Sequence, residues 1–388
     1  MLRATRLLCY GYLALSPLYV LPSGVPQPAD ILMAGAIFMS IVRKDIGSGA
    51  YKYSNVEKRL SIYLFLFVGY TWVITLLWAI YESNPNLVRF PLYYTYDALV
   101  FLTFIVVYKE SGKKFLKIIF YVISIASICI LSYHLIINRS GAVIRPSITF
   151  NNPNQLGYYS LLVSTILLLI WNTKNVSTIV MVAAQAANFL LASISLSVSA
   201  IIGLIFLYLI YVFSVNIKNA MIVISSLLVL MAIYGGGSGV GNRVINRLES
   251  GYYNLSQELS IRGYDRLFIL DEYIIFGAAE GSASGRSFAN QVEKNSIHSK
   301  EVHSSFGVLI ICYGVVGFMI FMLFLRELLS VYGVKGSVLL VPILMYGTAH
   351  QGLRFTHLWI LLAIMVCILY YRNGSETAST RSRKYSTP

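Results

Sequence analysis

Charge is what this chain has least of. Only 12% of its 388 residues are Asp, Glu, Lys or Arg, where a soluble domain carries about 25%. That shortage excludes an ordinary water-soluble globule. With 57% hydrophobic residues and a mean hydropathy of +0.70, it places the chain in a membrane. Cysteine is scarce too. All four, Cys9, Cys129, Cys312 and Cys367, fall inside apolar runs, so a disulfide framework is excluded and they read as small core residues. Familiar catalytic motifs are missing. No Gly-Lys-Ser/Thr follows the glycine cluster Gly235–Gly241, and neither His-Glu-x-x-His nor Gly-x-Ser-x-Gly occurs. The acids are scattered, with no Asp-x-Asp pair in the first outward loop, so the sequence predicts a site with no resident metal and no cofactor. No small-residue cleavage site follows Arg3, Arg6 and the run Leu7–Leu21, so that run is expected to be a first anchor rather than a removed signal.

What the chain does have is apolar runs. They fall at 7–21, 29–42, 60–81, 92–108, 116–137, 154–171, 177–194, 197–214, 219–235, 305–325, 337–349 and 355–371. Most are about 17–22 residues long, which suits helices crossing a bilayer rather than the short alternating strands of a barrel. The expected fold is therefore an all-α polytopic membrane protein of about 12 transmembrane helices. Residues 1–235 hold helices 1–9, 236–304 form one large polar loop, 305–371 hold helices 10–12, and 372–388 form a disordered basic tail. With the N-terminus in the cytoplasm, that side receives 19 of the 30 Lys and Arg but five of the 16 acids. The bias alternates loop by loop, as the positive-inside rule requires. Both termini are then cytoplasmic and the large loop lies outside. The net charge of +14 reports this topology. Since no nucleic-acid-binding motif accompanies it, no nucleic-acid partner is expected; the lipid bilayer is.

Ionisable groups at a membrane face are costly unless used. All five histidines, His134, His298, His303, His350 and His357, fall on the outer side of this topology, with Arg145, Arg262, Arg266 and Arg354. Some of these could simply anchor helix ends. The connection "INRSGAVIRPSITFNNPN" carries Arg145, and its asparagines, through Asn154, can cap the sixth helix and leave a positive N-terminus beside an arginine, a plausible anion site or a plain capping loop. In the large loop, Glu258–Phe276 has helical spacing. Arg262 and Arg266, four apart, share one face there. Their planar forks suit a diphosphate, although Glu258, Asp265 or Asp271 could pair with them instead. The following "FGAAEGSASG" reads as flexible backbone. His303 opens "HSSFGVLIICYGVVGF", where Ser304 and Ser305 can cap the tenth helix. An imidazole at a wet helix end suits a general base.

Three stretches give the chain a family likeness: "RPSITFNNPNQLGYYS", the large external loop with Arg262 followed after about fifteen residues by Gly277, and "HSSFGVLIICYGVVGF". Together with the topology they resemble the O-antigen ligase/polymerase superfamily of bacterial envelope polysaccharide assembly. Ser304 and Cys312 stand where ligases often carry asparagine and an acid, which tilts the likeness toward the polymerases. The resemblance implies a GT-C-like glycosyltransferase of the bacterial inner membrane with its site facing the periplasm. Its donor would be a glycan on undecaprenyl diphosphate and its acceptor a new carrier-linked repeat unit. His303 would act as base, with Arg145, Arg262 and Arg266 on the diphosphate and Arg354, His350, His298 and Asn154 in secondary roles. A flippase and a chain-length regulator would be its partners. Two alternatives stay open: a ligase joining the glycan to lipid A core or protein, and a lipid-linked oligosaccharide flippase or other transporter.

Overall fold

The computed structural model describes residues 1–22, 24–43, 55–137, 146–173, 176–214, 246, 249, 264, 272–282, 302–332 and 337–384. These are helical, with no strand among the described residues. Among the described residues, eight helices precede the polar loop: α1 (Leu2–Leu15), α2 (Pro28–Val42), α3 (Asn55–Tyr81), α4 (Arg89–Ser111), α5 (Lys113–Ile137), α6 (Pro153–Trp171), α7 (Thr178–Ser195) and α8 (Val198–Ser214). Three follow it: α9 (Tyr313–Tyr332), α10 (Val341–Ala349) and α11 (Thr356–Lys384). Among the described residues, six stretches are long and apolar enough to cross a membrane: Asn55–Tyr81, Pro85–Ser111, Lys113–Ile137, Pro153–Trp171, Thr178–Ser195 and Ser305–Ser330. Four more apolar helices are shorter: Pro28–Val42, Val198–Phe213, Val338–Ala349 and Thr356–Tyr370. The apolar run 219–235 lies outside the described residues.

The first helix is displaced from the run that predicts it. It begins at Leu2 and ends at Leu15 rather than continuing to residue 21. Pro17 is the reason: it has no N–H to give to the Leu13 carbonyl one turn back. The Ser16 hydroxyl takes that acceptor instead, at 3.2 Å. Gln27 then pins the connection to α2. Its Oε1 accepts the amides of Val20 and Leu21 at 3.0 and 2.9 Å, and its backbone N–H donates to Asp30 at 2.7 Å.

The chain divides into two compact units. The first comprises Met1–Tyr51, Val100–Gly237 and Trp359–Pro388. Its centre is α6, where every residue from Leu156 to Trp171 is buried. A helix apolar on all faces is expected in such a place. Hydrophobic driving force between helices is weak in lipid, so polar contacts serve as glue. Gln185 of α7 donates to the Ser164 carbonyl of α6 at 3.0 Å and accepts from Tyr208 of α8 at 2.8 Å. Ser127 of α5 lies 3.2 Å from Asn188 of α7. Asn152 caps α6 as its sequence predicts, accepting the Gln155 amide at 2.9 Å with Pro153 in the first turn.

The second unit comprises Lys52–Leu99 and Ser238–Leu358. It contains α3, the start of α4, the described end of the polar loop, and the chain from Val302 through α10. Its membrane segment from Ser305 is not the continuous helix expected over 305–325. One turn, Ser305–Gly307, leads into a π-helical stretch, Val308–Cys312, and Gly314 then leaves the helical region with φ 67°. A π-turn and a break at glycine both leave backbone groups without partners inside the helix. The end of the loop supplies them. Ala278 and Ala279 donate to the carbonyls of Ile311 and Cys312 at 3.1 and 2.9 Å, and Val316 donates to the Ile275 carbonyl at 3.2 Å.

Candidate functional site

That docking sets a buried carboxylate inside the second unit. Residues 277–282, expected to be flexible, are buried instead. Gly277 has φ 91°, and a Cβ there would collide with the Cys312 carbonyl; one at Gly314 would collide with the Ile275 carbonyl. Only glycine permits both the left-handed backbone and this approach of backbone to backbone. Two aromatic donors on α3 hold the same turn: Tyr70 bonds the Phe276 carbonyl at 2.8 Å and Trp78 the Gly277 carbonyl at 3.1 Å. The result carries Glu280 into the interior, 1% exposed.

Burying a carboxylate costs several kcal/mol unless charge and hydrogen bonds compensate it. Four groups do so. Its Oε2 accepts Tyr94 of α4 at 3.0 Å and Tyr313 at 3.3 Å. Its Oε1 accepts Gln351 at 3.3 Å and lies 3.3 Å from Nε of Arg354 in an ion pair. The Gln351 amide is oriented by its own turn, because its oxygen accepts the Leu353 N–H at 3.0 Å and leaves the nitrogen for Glu280. Below the carboxylate, Tyr94, Tyr313 and Phe67 meet edge to face, with centroids 5.6 to 6.2 Å apart. Each such pair contributes about 0.5–1.5 kcal/mol. The Arg354 guanidinium lies over two rings of α4, 5.4 Å from the Phe90 centroid and 5.7 Å from that of Tyr93.

A second junction adjoins the first through Gln351. Ser304 caps the turn as its position predicts, accepting the Gly307 amide at 2.7 Å, and donates to Tyr264 at 3.1 Å. Ser305 donates to the His350 carbonyl at 3.1 Å and accepts the Gly352 amide at 2.8 Å. The His350 ring packs on Tyr346 with centroids 4.9 Å apart. The stretches His303–Ser305 and His350–Arg354 are thus joined.

Of the site residues predicted from sequence, three belong to this assembly. His303 is half-buried and directly precedes the capping Ser304; His350 and Arg354, also half-buried, lie in the turn bonded to Ser305. Asn154 is in the first turn of α6 and belongs to the other unit. Arg145, Arg262, Arg266 and His298 lie outside the described residues, as does most of Glu258–Phe276; its described end, Glu272–Ile274, is a single 3₁₀ turn. Among the described residues, no three His, Cys, Asp or Glu side chains gather as a metal-ligand set. Sequence reasoning missed Glu280, Tyr94, Tyr313 and Gln351. One signal was available for the first: a lone acid within the small-residue tract "GAAEGSASG", beside membrane spans where charge is rare.

Fold and site define an all-helical, membrane-embedded protein with a buried charge cluster beside a broken apolar helix. No known family model matches the chain, and no curated protein matches it.

Proposed function

We propose that this chain is an envelope polysaccharide polymerase, similar to the O-antigen ligase/polymerase superfamily. It would move a growing glycan from undecaprenyl diphosphate to the sugar end of a carrier-linked repeat unit at the periplasmic face of the bacterial inner membrane. The observation that carries this reading is the junction of His303–Ser305 with His350–Arg354. These two stretches, 45 residues apart from Ser305 to His350, are joined through Ser305, and they carry two histidines and an arginine at the ends of apolar helices. In the reaction, His303 takes the proton of the acceptor hydroxyl. The acceptor oxygen bonds to the anomeric carbon, the bond from that carbon to the diphosphate oxygen breaks, and undecaprenyl diphosphate departs with the electron pair. The leaving group needs charge neutralisation, for which Arg145, Arg262 and Arg266 are the sequence's candidates and Arg354 the described one. This reading carries twelve spans, both termini in the cytoplasm and the loop 236–304 outside.

The test is His303→Ala in cells of the native host, with surface polysaccharide resolved by length and the variant's membrane level measured in parallel. Single repeat units should accumulate while the protein stays in the membrane. Normal long polymer would overturn the assignment of His303. Unattached long polymer would point to the ligase reading. If purified protein gives no turnover with a lipid-diphosphate donor, the transporter reading takes its place.

A further inference from the structure

Glu280 has no part in the proposed reaction, yet three of its partners, Tyr313, Gln351 and Arg354, lie in the stretches that carry it. We infer that Glu280 is a positioning residue, the buried counter-charge that fixes Arg354 where its guanidinium can meet the donor's diphosphate. This rests on the polymerase reading for the identity of the anion, but the pairing itself does not.

The geometry argues for positioning rather than catalysis by Glu280. Both its oxygens are occupied, Oε2 by two tyrosine hydroxyls and Oε1 by Gln351 and Arg354. It is 1% exposed, so a substrate would have to break that set to reach it. Arg354 differs. Its side chain keeps 18% exposure, and it meets Glu280 through Nε, the inner nitrogen of a planar fork with five donors. The faces of Phe90 and Tyr93 limit how that fork can turn. Arg89, at the start of α4, brings a second guanidinium to the same Phe90 ring, 4.8 Å from its centroid. Positive charge therefore collects at this edge of the unit around one ordered arginine. The acid that orders it rides on the end of the polar loop, so the placement of Arg354 depends on that loop being docked.

Glu280→Gln tests this with little change of volume. The amide can still hydrogen-bond both tyrosines, but the charge facing Arg354 is gone. Glu280→Gln, Arg354→Gln and the double variant would be purified in detergent and assayed with an undecaprenyl-diphosphate-linked repeat unit. Each single variant should raise KM for the donor about tenfold, the size expected for one charge-assisted hydrogen bond. The double variant should be no worse than either, and any fall in kcat should be the same in Glu280→Gln as in Arg354→Gln, since both lose the same ordered guanidinium. Wild-type KM in Glu280→Gln, or a fall in kcat at unchanged KM, would overturn the inference, since a merely structural role lowers the active fraction alone.

Thermal unfolding of the same four proteins judges the pairing without any activity. Arg354→Gln alone leaves a buried carboxylate without its cation and should lower Tm, and adding Glu280→Gln should recover part of that loss. Additive losses would overturn the pairing. A wild-type protein without turnover would sink the polymerase reading, while the unfolding comparison still decides whether Glu280 holds Arg354.

Discussion

The hydroxyl of Ser305 is bonded twice by the turn that follows α10: it donates to the His350 carbonyl at 3.1 Å and accepts the Gly352 amide at 2.8 Å. Ser305 is itself nearly buried, so water cannot readily replace it. Ser305→Ala leaves a buried amide and a carbonyl with one partner fewer. A loss of about 1–3 kcal/mol is expected, seen as a lower midpoint in thermal unfolding of the purified protein. An unchanged midpoint would show that the two stretches are held together by something else.

The docking of the loop end predicts an asymmetry among glycines. Gly277→Ala and Gly314→Ala each drive a Cβ into backbone, with left-handed φ as a further cost. Both should reduce the amount of folded protein recovered from membranes. Gly69→Ala is the control: it lies on α3, and nothing lies within 4 Å of an added Cβ. Recovery there should match the parent, since Ala favours a helix over Gly by about 1 kcal/mol.

Trp78 and Tyr70 should contribute unequally. Trp78→Phe removes a part-buried donor from the Gly277 carbonyl and should cost about 1 kcal/mol. Tyr70→Phe removes an exposed bond and should cost less. Hydrogen exchange at the amides of Ala278 and Ala279 is the measurement, with faster exchange expected in Trp78→Phe.

In the first unit, Asn152→Ala should weaken the start of α6 by about 1 kcal/mol through loss of its cap. Asn151→Ala removes only an exposed bond to the Leu21 carbonyl and should have a smaller effect. The difference between their thermal midpoints checks which asparagine is the cap.

Much of the local structure is legible in sequence because its causes are local. Pro153 after Asn152 announces the start of α6, and Ser304 announces the cap before Ser305, since each needs only its own neighbours in the chain. The pairing of Ser305 with the His350 turn is less legible, though the two histidine-bearing stretches invite comparison. Glu280 is nearly invisible. Its glycine, alanine and serine neighbours read as flexible, and what docks them is a pair of carbonyls freed by a helix break at Val308–Cys312 and Gly314. That break looks apolar and continuous on paper. Tyr94 and Tyr313 are two of 29 tyrosines, and nothing in their sequence setting separates them from residues that merely sit at the membrane interface.

The π-helical stretch also has a consequence for how this protein could change. A π-turn amounts to one residue inserted into an α-helix. Deleting a single residue between Val308 and Cys312 would remove the π-turn and turn the Ile311 and Cys312 carbonyls to another face of the segment, while Gly314 kept its break. The segment would remain a competent membrane anchor, but the loop end would lose its landing place and Glu280 its route inward. Anchor and functional scaffold are here separated by one codon.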